Sequence, residues 1–180
     1  TRRSSDLSLL NQIAFDLGRT AQAHLAVDSG LSRGGFTPQE LLKALPELQA
    51  LDAVYWEGMW THFASLRSLP DARAKVAAFG ELAGAARRFL PLACVHMAGS
   101  VATVKLPESH FDLVRLGIVL YGYVPHHEHT LDLEPAMTVT APLVAVKRYA
   151  AGTPLSYEGM HVLARDSNVG ILRHGYAEGY

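Results

Sequence analysis

The chain has 180 residues, 49% hydrophobic and 18% charged, enough apolar material for a core in one domain or two smaller pieces. Sixteen basic against seventeen acidic residues leave a formal charge of −1, which excludes a long-range field favouring nucleic acid or an anionic membrane. The single cysteine, Cys94, can neither close an intrachain disulfide nor build a multi-cysteine metal site, and no stretch reaches the roughly 18 apolar residues of a membrane span. No signal-peptide hydrophobic region opens the chain, so a cytoplasmic protein with no membrane or nucleic-acid partner is expected. It starts at Thr1 and stops at "GYAEGY" without the marks of a finished domain, and reads as a fragment.

In chain order, Leu7, Leu10, Ile13, Ala14 and Leu17 recur at helical spacing, and "AHLAVD" follows as a buried strand. Thr37, Pro38 and Glu40 supply an N-cap, an N1 proline and a capping-box acid, which start a helix near residue 38. "GMWTHFA" reads as the next strand. From Asp71 to Phe89 the residues Ala72, Val76, Phe79, Leu82, Ala83 and Ala86 mark a longer amphipathic helix, and "LACVHM" is another buried strand. A short helix from about Ser100 to Val104 and a last strand, "FDLVRLG", complete a series whose alternation predicts parallel pairing with right-handed crossovers. After Gly122 comes a connector with proline and histidine, then "AMTVTAPLVAVKRY", which has the β-branched content of strands. The boundary is placed near residue 131, separating 1–131 from a β-rich piece over 132–180. The expected fold class is α/β, a partial (β/α)8 TIM-type barrel followed by the start of a β-rich C-terminal domain.

Functional residues of such barrels sit at the C-terminal ends of strands, and each strand here ends in a candidate. Arg33 follows "HLAVD", His62 sits within "MWTHF", Ser100 follows "LACVHM", and Arg115 closes "FDLVR". Read singly, each also fits a structural role: a surface cation, a satisfied core imidazole, an N-cap and half of an ion pair. Arg115 raises the sharpest question, because a buried guanidinium needs hydrogen bonds or an opposite charge to offset its lost hydration.

Together these segments resemble the alanine racemases, which use pyridoxal phosphate on a barrel with an appended β domain. "VDSGLSRGGF" is similar to the family's V-D-T-G-M-x-R-x-G-F, "GMWTHFA" to G-x-x-T-H-F-A, and "FDLVRLGIVLYG" to F-D-x-V-R-x-G-I-x-L-Y-G. "HMAGSVAT" resembles H-x-A-N-S-A-A, while "PLSYEGMH" and "GYAEGY" resemble the S-Y-G and G-Y-A-D-G motifs. The resemblance implies an isomerase that interconverts L- and D-alanine for the cell wall as a head-to-tail homodimer. It implies that Arg115 meets the pyridine nitrogen of the cofactor, where a guanidinium disfavours the protonation that a carboxylate would promote. Tyr157 becomes a proton-transfer group contributed by the second subunit. It further implies that Arg33 binds the substrate carboxylate, that His62 links Tyr157 to Arg115, and that Tyr176 belongs to the substrate site. Ser100, Gly117 and Ile118 become donors to the cofactor phosphate, with Ser100 as a plain N-cap left open.

The sequence also departs from the family. Lys43, Lys75, Lys105 and Lys147 all lie outside anything like the K-A-x-A-Y-G motif that carries the cofactor lysine, so the fragment alone is expected to be inactive. Ala26 stands where many members have lysine, Gly99 replaces an asparagine, Glu158 replaces a glycine, and His174 replaces an aliphatic residue. A degenerate homologue kept for binding or dimerisation, and a barrel decarboxylase using the same cofactor, are therefore carried as alternatives. His126, His127 and His129 around Glu128 lack the fixed helical scaffold of a zinc site, and no metal is expected.

Overall fold

The computed structural model describes residues 4–123 and 131–179. The chain separates into two compact units, 1–136 and 137–180. In the first, elements alternate as α1 (Ser4–Asp16), β1 (Ala21–Ala26), α2 (Pro38–Gln49), β2 (Val54–Trp60), α3 (Leu69–Ala86), β3 (Cys94–Gly99), α4 (Ser100–Lys105) and β4 (Leu113–Arg115). The four strands form one sheet in the order β1-β2-β3-β4, and every neighbouring pair is parallel. This is the (β/α) barrel pattern expected from the alternation.

Local chemistry explains where the helices begin. Thr37 takes the extended N-cap conformation and accepts from the Glu40 amide, while Glu40 reaches back to the Thr37 amide at 2.8 Å. Helix α3 starts earlier than its apolar spacing suggests, because Ser68 accepts from the Asp71 amide and Pro70 fits the first turn, where no amide donor is needed. Leu41, Leu45 and Leu48 of α2 and Val76, Phe79 and Leu82 of α3 bury against Leu25, Trp56, Met59 and Val95 of the sheet. The Trp56 indole N–H donates to the Leu48 carbonyl at 2.9 Å, which satisfies the one polar atom of a buried ring.

The strands end differently from the sequence reading. β2 stops at Trp60, so His62 lies in the loop beyond it rather than within the strand. The Thr61 amide makes one further bond, to the His96 carbonyl at 3.2 Å, before the chain turns away. β4 is limited to Leu113–Arg115 because Phe111 has φ +49° and cannot continue an extended run.

The second unit contains an antiparallel pair, β5 (Leu143–Tyr149) with β8 (Ser167–Leu172), and a short antiparallel pair, β6 (Pro154–Leu155) with β7 (His161–Val162). The β content expected there is present, but residues 136–142 are not strand; Pro142, which has no amide hydrogen for a ladder, immediately precedes β5. The cluster of His126, His127, Glu128 and His129 lies outside the described residues.

Candidate active site

The C-terminal ends of β2, β3 and β4 surround an open cleft of about 1210 Å³ lined by His62, Ser100, Arg115, Gly117, Arg67 and Lys105 among others. Parallel strands put their last residues on one side of the sheet, so three of the sequence candidates meet without any long-range loop. Arg33 joins them from the loop after β1. That loop is bent by Asp28, whose Oδ1 accepts from the Gly30 amide at 2.8 Å and the Ser32 amide at 3.0 Å. These backbone bonds hold the Asp28 carboxyl below its ordinary value of 3.8. Arg33 shares a small recess with Trp60 and His62, and its charge acts on both His62 and Arg115.

Arg115 is half-buried, and among the described residues it has no carboxylate partner. One terminal nitrogen donates to His96 Nδ1, and the other donates to the Thr61 carbonyl at 2.9 Å and to His62 Nδ1 at 3.2 Å. Its Cζ lies 5.2 Å from the centre of the Trp60 ring, a cation–π contact. All four neighbours are neutral acceptors or a π face, so the positive charge stays uncompensated at the wall of the cleft. This arrangement corrects the ion-pair alternative for Arg115. Burial first, then the Arg33 charge, lowers its pKa from the ordinary arginine value.

The same contact fixes His62. A guanidinium has donors and no acceptor, so the His62 nitrogen facing Arg115 carries no hydrogen and the ring's proton sits on Nε2. Desolvation, then Arg115 and Arg33, lowers the His62 pKa below 6.5, which keeps the ring neutral near neutral pH. The ring lies so close to β3 that a Cβ built on Gly99 would stand 2.9 Å from its Cε1. Glycine instead of asparagine at this position therefore makes room for His62.

Ser100 is the first residue of α4, whose N-cap is Gly99, so the plain N-cap alternative is not what the hydroxyl does. Ser100 Oγ instead accepts from the Gly117 amide at 2.8 Å and the Val119 amide at 3.5 Å, which leaves its own hydrogen for the cleft. Ile118 begins the 3-10 turn that follows Gly117.

Tyr157 and Tyr176 belong to the second unit, where their side chains are 89% and 98% exposed. Tyr157 sits in a turn in which Ser156 (φ +64°) and Glu158 (φ +59°) both take left-handed backbone. That conformation explains why glycine suits position 158.

Comparisons with known proteins show the family. Residues 3–125 match the family described as "Alanine racemase, N-terminal domain", and residues 136–180 match "Alanine racemase, C-terminal domain". The chain belongs to the alanine racemase family. A relative named alanine racemase from Desulfovibrio desulfuricans is 36% identical over 177 residues, which are 95% of this chain and 47% of the relative. The solved alanine racemase of a D-cycloserine-producing Streptomyces lavendulae is 34% identical with a TM-score of 0.78, covering 99% of this chain and 50% of that one. An alanine racemase from Bartonella henselae, solved with covalently bound pyridoxal phosphate, is 26% identical with a TM-score of 0.76 over 98% of this chain and 48% of that one. The chain thus spans about half the length of the alanine racemases it matches.

His96, Trp60 and Thr61 contact Arg115, and the sequence reading did not single them out. A histidine in the apolar strand "LACVHM" was the available signal, since a polar ring in a buried strand requires partners.

Proposed function

We propose that the intact protein is a cytoplasmic, homodimeric, pyridoxal-phosphate-dependent racemase that interconverts L- and D-alanine. The observation that carries this reading is a cleft-facing guanidinium, Arg115, surrounded only by neutral partners. Three of its five N–H donors are used by His96, Thr61 and His62, so donors remain for an acceptor in the cleft such as a pyridine nitrogen. The donor set also fits a phosphate: the Ser100 hydroxyl hydrogen and the Ile118 amide lie around the start of α4, and the Gly117 amide, which donates to Ser100 Oγ here, would have to turn from that bond to join them. Bound there, pyridoxal phosphate would supply an electron-withdrawing ring that acidifies the Cα–H of an amino acid.

The protein's own residues divide the remaining work. Arg115 would hold the ring nitrogen and keep positive charge beside it, which would disfavour its protonation and limit how far electrons are drawn away from Cα. Limiting that withdrawal would favour return of a proton to Cα, as racemisation requires. Arg33 pairs with the substrate carboxylate and brings a second positive charge to the site. His62 presents its Nε2–H, a donor that stabilises a phenolate. A free phenol has a pKa of about 10, so Tyr157, contributed by the partner copy, needs that donor and the two arginines to take a proton near neutrality. Tyr176 completes the substrate wall on the same β unit.

The test is conversion of L-alanine to D-alanine by the intact protein with added cofactor. Activity that falls at least 100-fold on Tyr157→Phe, with cofactor absorbance retained, is the expected result. An intact protein without cofactor absorbance or racemisation would overturn the reading in favour of a degenerate homologue.

A further inference from the structure

Behind Arg115, on the side away from the cleft, a line of polar side chains crosses the sheet. His96 Nε2 lies 3.0 Å from His24 Nδ1, and His24 Nε2 lies 3.3 Å from Glu57 Oε2. These residues come from β3, β1 and β2.

The direction of every bond follows from one end. Arg115 only donates, so His96 Nδ1 must be unprotonated. A neutral imidazole carries one hydrogen, which therefore sits on His96 Nε2 and points at His24. His24 Nδ1 must then accept, which places its hydrogen on Nε2, facing the Glu57 carboxylate. Reversing one bond would set two N–H groups against each other or leave two acceptors facing. Glu57 is thus the anion that terminates a donor chain running from Arg115 through two neutral rings.

The backbone is shaped for this line. Along β1 and β2 the register runs Ala23 opposite Trp56 and then His24 opposite Gly58, so Glu57 is the extra residue of a bulge. A bulge re-aims the side chain it carries. Gly58 leaves the space that the His24 ring fills, since a Cβ there would stand 2.6 Å from His24 Nδ1 and 2.5 Å from the Cys94 carbonyl. His96 is 7% exposed, so water offers it no substitute for His24.

We propose that His24 and Glu57 are positioning residues for Arg115: Glu57 holds His24 in the tautomer that accepts from His96, and His96 thereby keeps the unprotonated nitrogen that clamps the guanidinium. Its consequence for catalysis rests on the racemase reading above, whereas the tautomers do not.

The experiment is 15N NMR of the histidine rings in the intact protein, joined to racemisation kinetics. In the wild type both His24 and His96 carry hydrogen on Nε2 alone. His24→Leu removes the acceptor, so His96 is freed to turn from Arg115, becomes a mixture of tautomers, and kcat falls on the order of tenfold while KM for alanine changes less than about twofold, as expected for a misplaced group. His24→Gln, whose amide can accept from His96 and donate to Glu57, restores the Nε2–H form and most of kcat. Glu57→Gln, which can donate as well as accept, admits the second tautomer of His24 and serves should His24→Leu not fold. Hydrogen on His96 Nδ1 in the wild type, or ring spectra unchanged by these substitutions, overturns the proposal. If the tautomers respond as stated while no form of the protein racemises alanine, the relay stands and the assigned reaction fails.

Discussion

At the scale of single residues, His96 shows how a neutral ring is enforced beside a permanent cation. Burial first, then Arg115, then His24 brings its pKa from 6.5 down to about 4. The unfolded chain therefore binds more protons than the folded one between those two values. The stability His96 contributes is complete above 6.5 and is lost as pH falls toward 4. Denaturation of the intact protein across this window should show stability declining with acidification, and His96→Gln should flatten that slope by up to about one proton. An equal slope in both proteins would show that His96 does not carry the effect. Packing behind it gives a second prediction: Gly58→Ala drives a methyl into the Cys94 carbonyl and the His24 ring, and should cost about 1–3 kcal/mol in the same assay. The candidate site was legible in the sequence where a residue stood out against its surroundings, as Arg115 does in "FDLVRLGIVLYG". His96 left a signal as a polar ring in an apolar strand, but His24 and Glu57 were not legible, because the register shift between β1 and β2 that brings Glu57 to His24 leaves no mark in local composition.

At the scale of elements, helix starts were readable because capping is local chemistry. Thr37 and Glu40 lie three residues apart in the chain and satisfy each other's backbone donors in α2, so Thr37→Ala should lower stability by about 1 kcal/mol, measured by thermal denaturation. Strand ends were less readable because a partner strand, not local spacing, decides them. β2 ends at Trp60 although the expected strand ran on through Ala64, since Thr61 makes the last bond to β3. The turn carrying Tyr157 is strained at two residues that are not glycine. Glu158→Gly removes the clash of a side chain at φ +59° and should raise stability by about 0.5–1 kcal/mol in the same melt. A lower melting temperature would contradict a strain account of this turn.

At the scale of the whole molecule, the alternation of elements was enough to read a parallel sheet with its chemistry at one end, but not what the outer faces meet. Strands β1 and β4 are the edges of their sheet, and α1 and the turn after it expose Phe15 and Leu17 at 70% and 67%. Unpaired edges and exposed aromatic and aliphatic side chains favour association. The 180-residue chain expressed by itself should sediment as oligomers or aggregates, and a monomer with a sharp cooperative melt would contradict this. Everything proposed for catalysis meets at one atom pair, the Arg115 guanidinium and the ring nitrogen of the cofactor. The direct measurement is 15N NMR of pyridoxal phosphate labelled at that nitrogen and bound to the intact protein near neutral pH. An unprotonated nitrogen in the wild type that becomes protonated in Arg115→Glu is the predicted result, and a protonated nitrogen in the wild type would contradict the account.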